Sequence, residues 1–154
     1  MTLKKPALSL LAAAFLATAP LVAQPKGALV EKTVDVPRAN LIEVGIPYEK
    51  ATILSVESAN DPKEKDLREA KETDPSDSTF VLLKFHYKNE DYVTHRVKLR
   101  AVLLDANDGV LAEGGRTGGL DANQTDDTIT FPIKVKTLDW PNAAKLKVIA
   151  TFLK

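Results

Sequence analysis

The chain has 154 residues, with 21 basic and 21 acidic side chains, two histidines, one tryptophan, one methionine and no cysteine. Without cysteine there is no thiolate nucleophile, no Fe–S or cysteine-type zinc ligand and no disulfide. A formal charge of zero gives no global field for drawing in nucleic acid or a membrane surface.

Residues 1–23 read as a secretory signal peptide. Lys4 and Lys5 supply the positive start, Ala7 to Ala19 is apolar apart from Ser9 and Thr18, and Ala23 places a small residue before Gln24. The apolar run stops at Pro20, well short of the ~20 residues a spanning helix needs. A lipoprotein anchor would need a cysteine at the processing point. The sequence therefore predicts export to the periplasm or the extracellular space, with no membrane insertion after cleavage. Cleavage removes two lysines and no acid, so the net charge falls from zero to −2. Residues 24–154 suit a single domain that buries about two thirds of its unfolded surface.

Within that domain, period-two alternation dominates. Val30–Val36 reads as an edge-like first strand ended by Pro37, Leu41–Ile46 as a short apolar piece closed by Pro47, and Ala51–Glu57 as a second firm strand. Residues 59–78 carry seven acids, four bases and two prolines, with Leu67 the one large apolar side chain before Ser78. This is a solvated insertion, in which Asp66–Glu72 has room for two helical turns. A calcium site there would want clustered oxygens at a defined spacing, and the interleaved lysines do not offer it. Thr79–Lys88 and Val93–Asp105 then alternate strongly and are predicted to form a hairpin. Asn107-Asp108-Gly109 is turn chemistry with Gly109 at positive φ, followed by a short return strand, Val110–Glu113. Thr128–Lys136 and Lys145–Leu153 complete the set. About seven strands with turn punctuation predict an all-β, antiparallel immunoglobulin-like β-sandwich, with a closed barrel as the alternative.

The predicted hairpin gives a register test for the two histidines. Opposed residues in an antiparallel pair have a constant sum of numbers, and the inward faces are odd in both strands. His86 and His95 then point to opposite faces, so a joint two-histidine metal site would need a bulge. No metal site, cofactor or catalytic residue is expected. The same hairpin places Lys84, His86 and Lys88 beside Arg96, Lys98 and Arg100. That stripe reads either as an anion-binding face or as lysine-rich protection against strand aggregation. It lacks the outward aromatic platforms of single-strand binders, which argues against nucleic acid.

The run Gly114-Gly115-Arg116-Thr117-Gly118-Gly119 lacks the Gly-Lys-[Ser/Thr] ending of a phosphate loop and reads as a place for bulges or tight bends. Trp140, on a connector between the last strands, caps the core or stacks on a sugar. Asn123-Gln124-Thr125 is a glycosylation sequon. No catalytic motif spacing appears.

The segment from Val97 to Val135 resembles the FxLYD-type and related immunoglobulin-like sandwiches of exported prokaryotic proteins. The pieces are Ala101-Val102-Leu103-Leu104-Asp105, Asn107-Asp108-Gly109, Val110-Leu111-Ala112 and Thr128–Val135. Ala101 and Leu104 stand where that family has its name-giving Phe and Tyr. The resemblance implies a sandwich in an extracytoplasmic setting and carries no catalytic residue. The expected role is that of a non-catalytic binding or assembly module. Its partner would be another envelope or extracellular protein, or a second copy, with Val30–Val36 as the pairing edge. The alternative is a carbohydrate or acidic-polysaccharide binder using the lysine-rich faces, and a hydrolase using loop carboxylates stands third.

Overall fold

The computed structural model describes residues 27–153, so the leader expected at 1–23 lies outside the described residues. Eight strands and one helix follow in order: β1 (Leu29–Asp35), β2 (Ile42–Tyr48), β3 (Ala51–Ser58), α1 (Glu64–Thr73), β4 (Ser78–Asn89), β5 (His95–Asp105), β6 (Val110–Leu120), β7 (Gln124–Lys136) and β8 (Ala143–Phe152). They form two four-stranded antiparallel sheets, β1-β8-β5-β6 and β2-β3-β4-β7. This is the expected β-sandwich, with one strand more than the sequence pattern gave. Among the described residues no strand of one sheet is laddered to a strand of the other, so the arrangement is a sandwich and not a closed barrel.

Alternation builds the core. The odd residues Val97, Leu99, Ala101 and Leu103 of β5 and the even residues Leu146, Val148, Ala150 and Phe152 of β8 face Val81, Leu83, Phe85 and Tyr87 of β4 and Ile129, Phe131, Ile133 and Val135 of β7. Burying each such large side chain contributes about 1.5–3 kcal/mol. Strand β3 departs from strict period two because its pairing with β4 shifts between Ile53 and Ser55. That bulge turns both Ile53 and Val56 inward, although their numbers differ in parity.

Four sequence expectations need correction. Strands β4 and β5 are not a hairpin: they belong to opposite sheets, and residues 90–94 carry the chain across the sandwich. This makes β4 to β7 a Greek-key unit, the connection typical of immunoglobulin-like sandwiches. The return strand β6 does not stop at Glu113 but continues through the glycine run to Leu120. In the β5–β6 turn the positive φ falls on Asp108 (φ 63°). Gly109 is needed instead because a Cβ there would lie 2.6 Å from Asp105 Oδ2. Finally, the acidic insertion holds a full helix, α1, whose one buried residue is Ala70. Asp66 Oδ2 accepts from the Lys63 N–H and closes its first turn.

The glycines of β6 let this edge approach β7 of the opposite sheet. A Cβ on Gly114 would sit 2.8 Å from the Pro132 carbonyl oxygen and 2.9 Å from Ile133 Cγ2, while one on Gly118 would meet Ile129 Cδ1 at 3.3 Å. Backbone cannot retreat as a side-chain tip can. Gly114→Ala should therefore cost about 1–3 kcal/mol in urea unfolding, and Gly118→Ala clearly less. Equal midpoints for Gly114→Ala and the parent would show that this close approach is wrong.

Candidate functional site

The chain crossing between β4 and β5 separates the expected basic stripe into two. Lys84, His86 and Lys88 lie on the sheet containing β4, whereas Arg96, Lys98 and Arg100 lie on the other sheet. The six residues do not form one face. Most are also partnered by acids. Lys84 and His86 reach Glu57 at 3.5 and 3.3 Å, His86 Nδ1 reaches Asp126 at 3.1 Å, Lys88 reaches Glu90 at 3.7 Å and Arg100 reaches Glu113 at 2.9 Å. Among the described residues, only Arg96 and Lys98 of the six lack an ion pair. Each exposed pair contributes only about 0–1 kcal/mol, but together they cancel the local positive field.

Trp140 opens a 3₁₀ turn (Trp140–Asn142) and is buried in the core cluster. Arg38 closes over its ring, 5.3 Å from the centroid, and donates to the carbonyl oxygens of Trp140 and Ala143. The turn is thus tied to the end of β1, and the indole caps the core; no sugar-stacking face is left on it.

At the β6–β7 flank, Tyr87 donates to Asp127 Oδ2 at 2.9 Å and accepts from the Asp121 N–H at 3.0 Å. Burial, together with the neighbouring carboxylates, pushes its phenol up to about 12. Arg116, Gly118 and Gly119 line the same shallow polar recess, so the glycine run forms one wall of it as part of strand β6 and not as a phosphate-type loop.

One end of the sandwich gathers a group that the sequence did not suggest. Glu49 sits in the β2–β3 turn at positive φ (52°), Asp91 in the crossing segment, and His95 at the first residue of β5. His95 Nε2 lies 3.2 Å from Asp91 Oδ2 and 3.5 Å from Glu49 Oε2. His95 and Asp91 are buried, while Glu49 keeps about a third of its side chain exposed. Asp91 is held by its neighbours: its N–H donates to Asn89 Oδ1, its Oδ1 accepts from the Tyr92 N–H, and its carbonyl accepts from the Asn123 N–H. The Tyr48 ring packs edge-on against His95 at 5.3 Å and stacks on Phe152 at 4.0 Å. Its hydroxyl is buried without a hydrogen-bond partner. Burial and then the charge of Glu49 raise its pKa. Among the described residues, this is the group whose ligand-type atoms converge within 4.8 Å, and none of its members comes from the acidic insertion. The visible sequence clue was the i, i+4 spacing of Asp91 and His95; Glu49 had none.

The outer face of the β1-β8-β5-β6 sheet carries the second feature. Val102, Leu104 and Ile149 form an apolar floor separate from the main core. Around them a groove of about 520 Å³ is edged by Thr33, Lys147, Glu113, Asp108 and the 65% exposed Val110. Strand β1 borders this face and, among the described residues, pairs only with β8, in unbroken register from Leu29↔Thr151 to Asp35↔Lys145.

No protein-family model matches the chain. No curated protein sequence matches it either. Among solved structures, the chain is similar to part of a β-glucuronidase from glycoside hydrolase family 2, with a TM-score of 0.35 and 14% identity. That match takes in 43% of this chain and 7% of the enzyme. Likeness at that level carries neither fold nor activity across.

The Tyr87 environment gives a pH test. Its folded pKa of about 12 lies above the ordinary phenol value of 10.0, so the unfolded chain ionises first. Stability from this residue is complete below pH 10 and drains away as the pH rises towards about 12. The urea midpoint of the parent should fall across that window, and Tyr87→Phe should flatten the fall. Parallel curves for the two proteins would contradict the assigned burial.

Proposed function

We propose that this chain is a non-catalytic, exported binding or assembly module that takes an extended segment of a protein partner along the free edge of β1. The partner is another envelope or extracellular protein, or a second copy of the chain. The observation that carries this reading is the contrast among the four sheet edges. β2 is broken by a register shift between Glu43 and Ile46 and contains Gly45 at positive φ and Pro47. β7 has a shift opposite Tyr87–Asn89 and contains Pro132. β6 holds four glycines and leans on β7. Each of these devices discourages pairing. β1 has no proline, glycine or bulge over seven residues.

An antiparallel strand turns alternate residues' N–H and C=O groups away from its partner, so β1 offers a regular ladder on the side opposite β8. A strand added there would set alternate side chains over the same face that holds the Val102, Leu104 and Ile149 floor. Backbone bonds then supply affinity and the groove supplies selectivity. Lys32, on the inward-facing side of β1 between the part-buried Val30 and Val34, is the one guard on this edge. It favours a partner with a matching acid over indiscriminate stacking.

Proline placed at Lys32 and, separately, at Thr33 tests the edge. One of these two N–H groups bonds to β8 and the other faces outward. The inward variant should lower the melting temperature. The outward variant should melt like the parent yet lose at least tenfold in self-association by sedimentation, or in capture of a specific envelope protein. An outward variant that keeps both would sink the proposal.

A further inference from the structure

We propose that Glu49, Asp91 and His95 bind one divalent transition-metal cation of the zinc class, through Oε2, Oδ2 and Nε2. The dimensions are those of such a site. Zinc–nitrogen and zinc–oxygen bonds of about 2.0–2.1 Å in a tetrahedron set ligand atoms about 3.3 Å apart. The Nε2 distances of 3.2 and 3.5 Å bracket that edge, and all three atoms lie within 4.8 Å of one another. The donor chemistry points the same way. An imidazole suits zinc, copper, iron and nickel, whereas calcium takes six to eight oxygens and magnesium keeps an oxygen octahedron. Three protein ligands leave a fourth position for water.

Two features separate this group from an ordinary surface ion pair. The ligands are fixed before any ion arrives: Asn89 and Asn123 clamp Asp91 from either side, and Tyr48 packs against the His95 ring. In addition, the hydroxyl of Tyr48, whose ring packs on His95, is buried with no hydrogen-bond partner. Water on a bound cation would give it one. Glu49, the exposed member, provides the way in. His86, the other histidine, is a natural contrast. Its two ring nitrogens reach different carboxylates, Asp126 and Glu57, so those carboxylates flank the ring without converging on one nitrogen.

The competing account is that a proton on His95 alone holds the two carboxylates. The test is calorimetric titration of chelator-treated protein, made without a histidine tag, with zinc chloride. One equivalent should bind with low-micromolar or tighter affinity. Glu49→Gln, at an exposed position where folding should survive, should weaken it at least tenfold, as should His95→Gln. His86→Gln should change nothing. Cobalt(II) should give visible bands of tetrahedral intensity, lost in Glu49→Gln, which keeps the test open should His95→Gln fail to fold. The site is overturned by absence of saturable binding near one equivalent, by binding that survives Glu49→Gln, or by binding that vanishes with His86→Gln.

Discussion

The passage of the chain from one sheet to the other between Asn89 and His95 must satisfy backbone groups in a buried place, and Asn89 does this. Its side chain is fully buried, donates to the carbonyls of Val93 and Leu120, and accepts from the Asp91 N–H. Each of those groups left bare would cost about 1–3 kcal/mol. Because the crossing is fixed there, β5 enters the second sheet between β8 and β6, and the inward faces of both sheets meet in register. The same crossing sets Asp91 and His95 at one end and lets Asn123 of the β6–β7 connection bond to Asp91. Two connections are thereby tied into one piece.

Surface charge follows from this layout. A lysine-rich strand looks like a cationic stripe when read alone, but its neighbours in the sheet arrive from elsewhere in the sequence. Glu57 of β3 lies beside β4, Glu113 of β6 beside β5, and Glu31 of β1 beside Lys147 of β8. On these sheet faces, basic side chains are therefore met by acids that arrive on neighbouring strands.

What was legible in the sequence was whatever depends on a residue and its near neighbours. Parity along β4 and β5 names the inward faces correctly, and the edge position of β1 follows from its short, charged pattern before Pro37. What was not legible depends on distant partners. Glycine carries no hydrophobic period, so the pattern of β6 ends at Glu113 although the strand runs on through Gly114, where β7 lies close. The β3 bulge hides in a run of apolar residues. The β4–β5 hairpin failed because a five-residue connection serves a tight turn or a sheet crossing equally well; Asn89, one polar residue at an inward position, was the sign of the second. Glu49 could not be joined to His95 without knowing that the β2–β3 turn lies over the start of β5.

The features argued for function sit close together yet draw on different atoms. β1 begins opposite the end of β8, where Gly27 donates to the carbonyl of Phe152 and Phe152 donates back to Ala28. Phe152 stacks on Tyr48, and Tyr48 packs on His95. One end of the sandwich thus joins the entry to the edge strand with the imidazole–carboxylate group through two aromatic contacts. Strand pairing would use backbone groups along β1 and needs no titratable side chain. Cation binding would use three side chains and needs no free edge. A substitution at Glu49 leaves the β1 ladder intact, and a proline in β1 leaves the ligand atoms in place. The Tyr48–Phe152 stack and the β5–β8 ladder, which starts beside His95 where the Leu153 N–H donates to the Arg96 carbonyl, both join the end site to the start of β1.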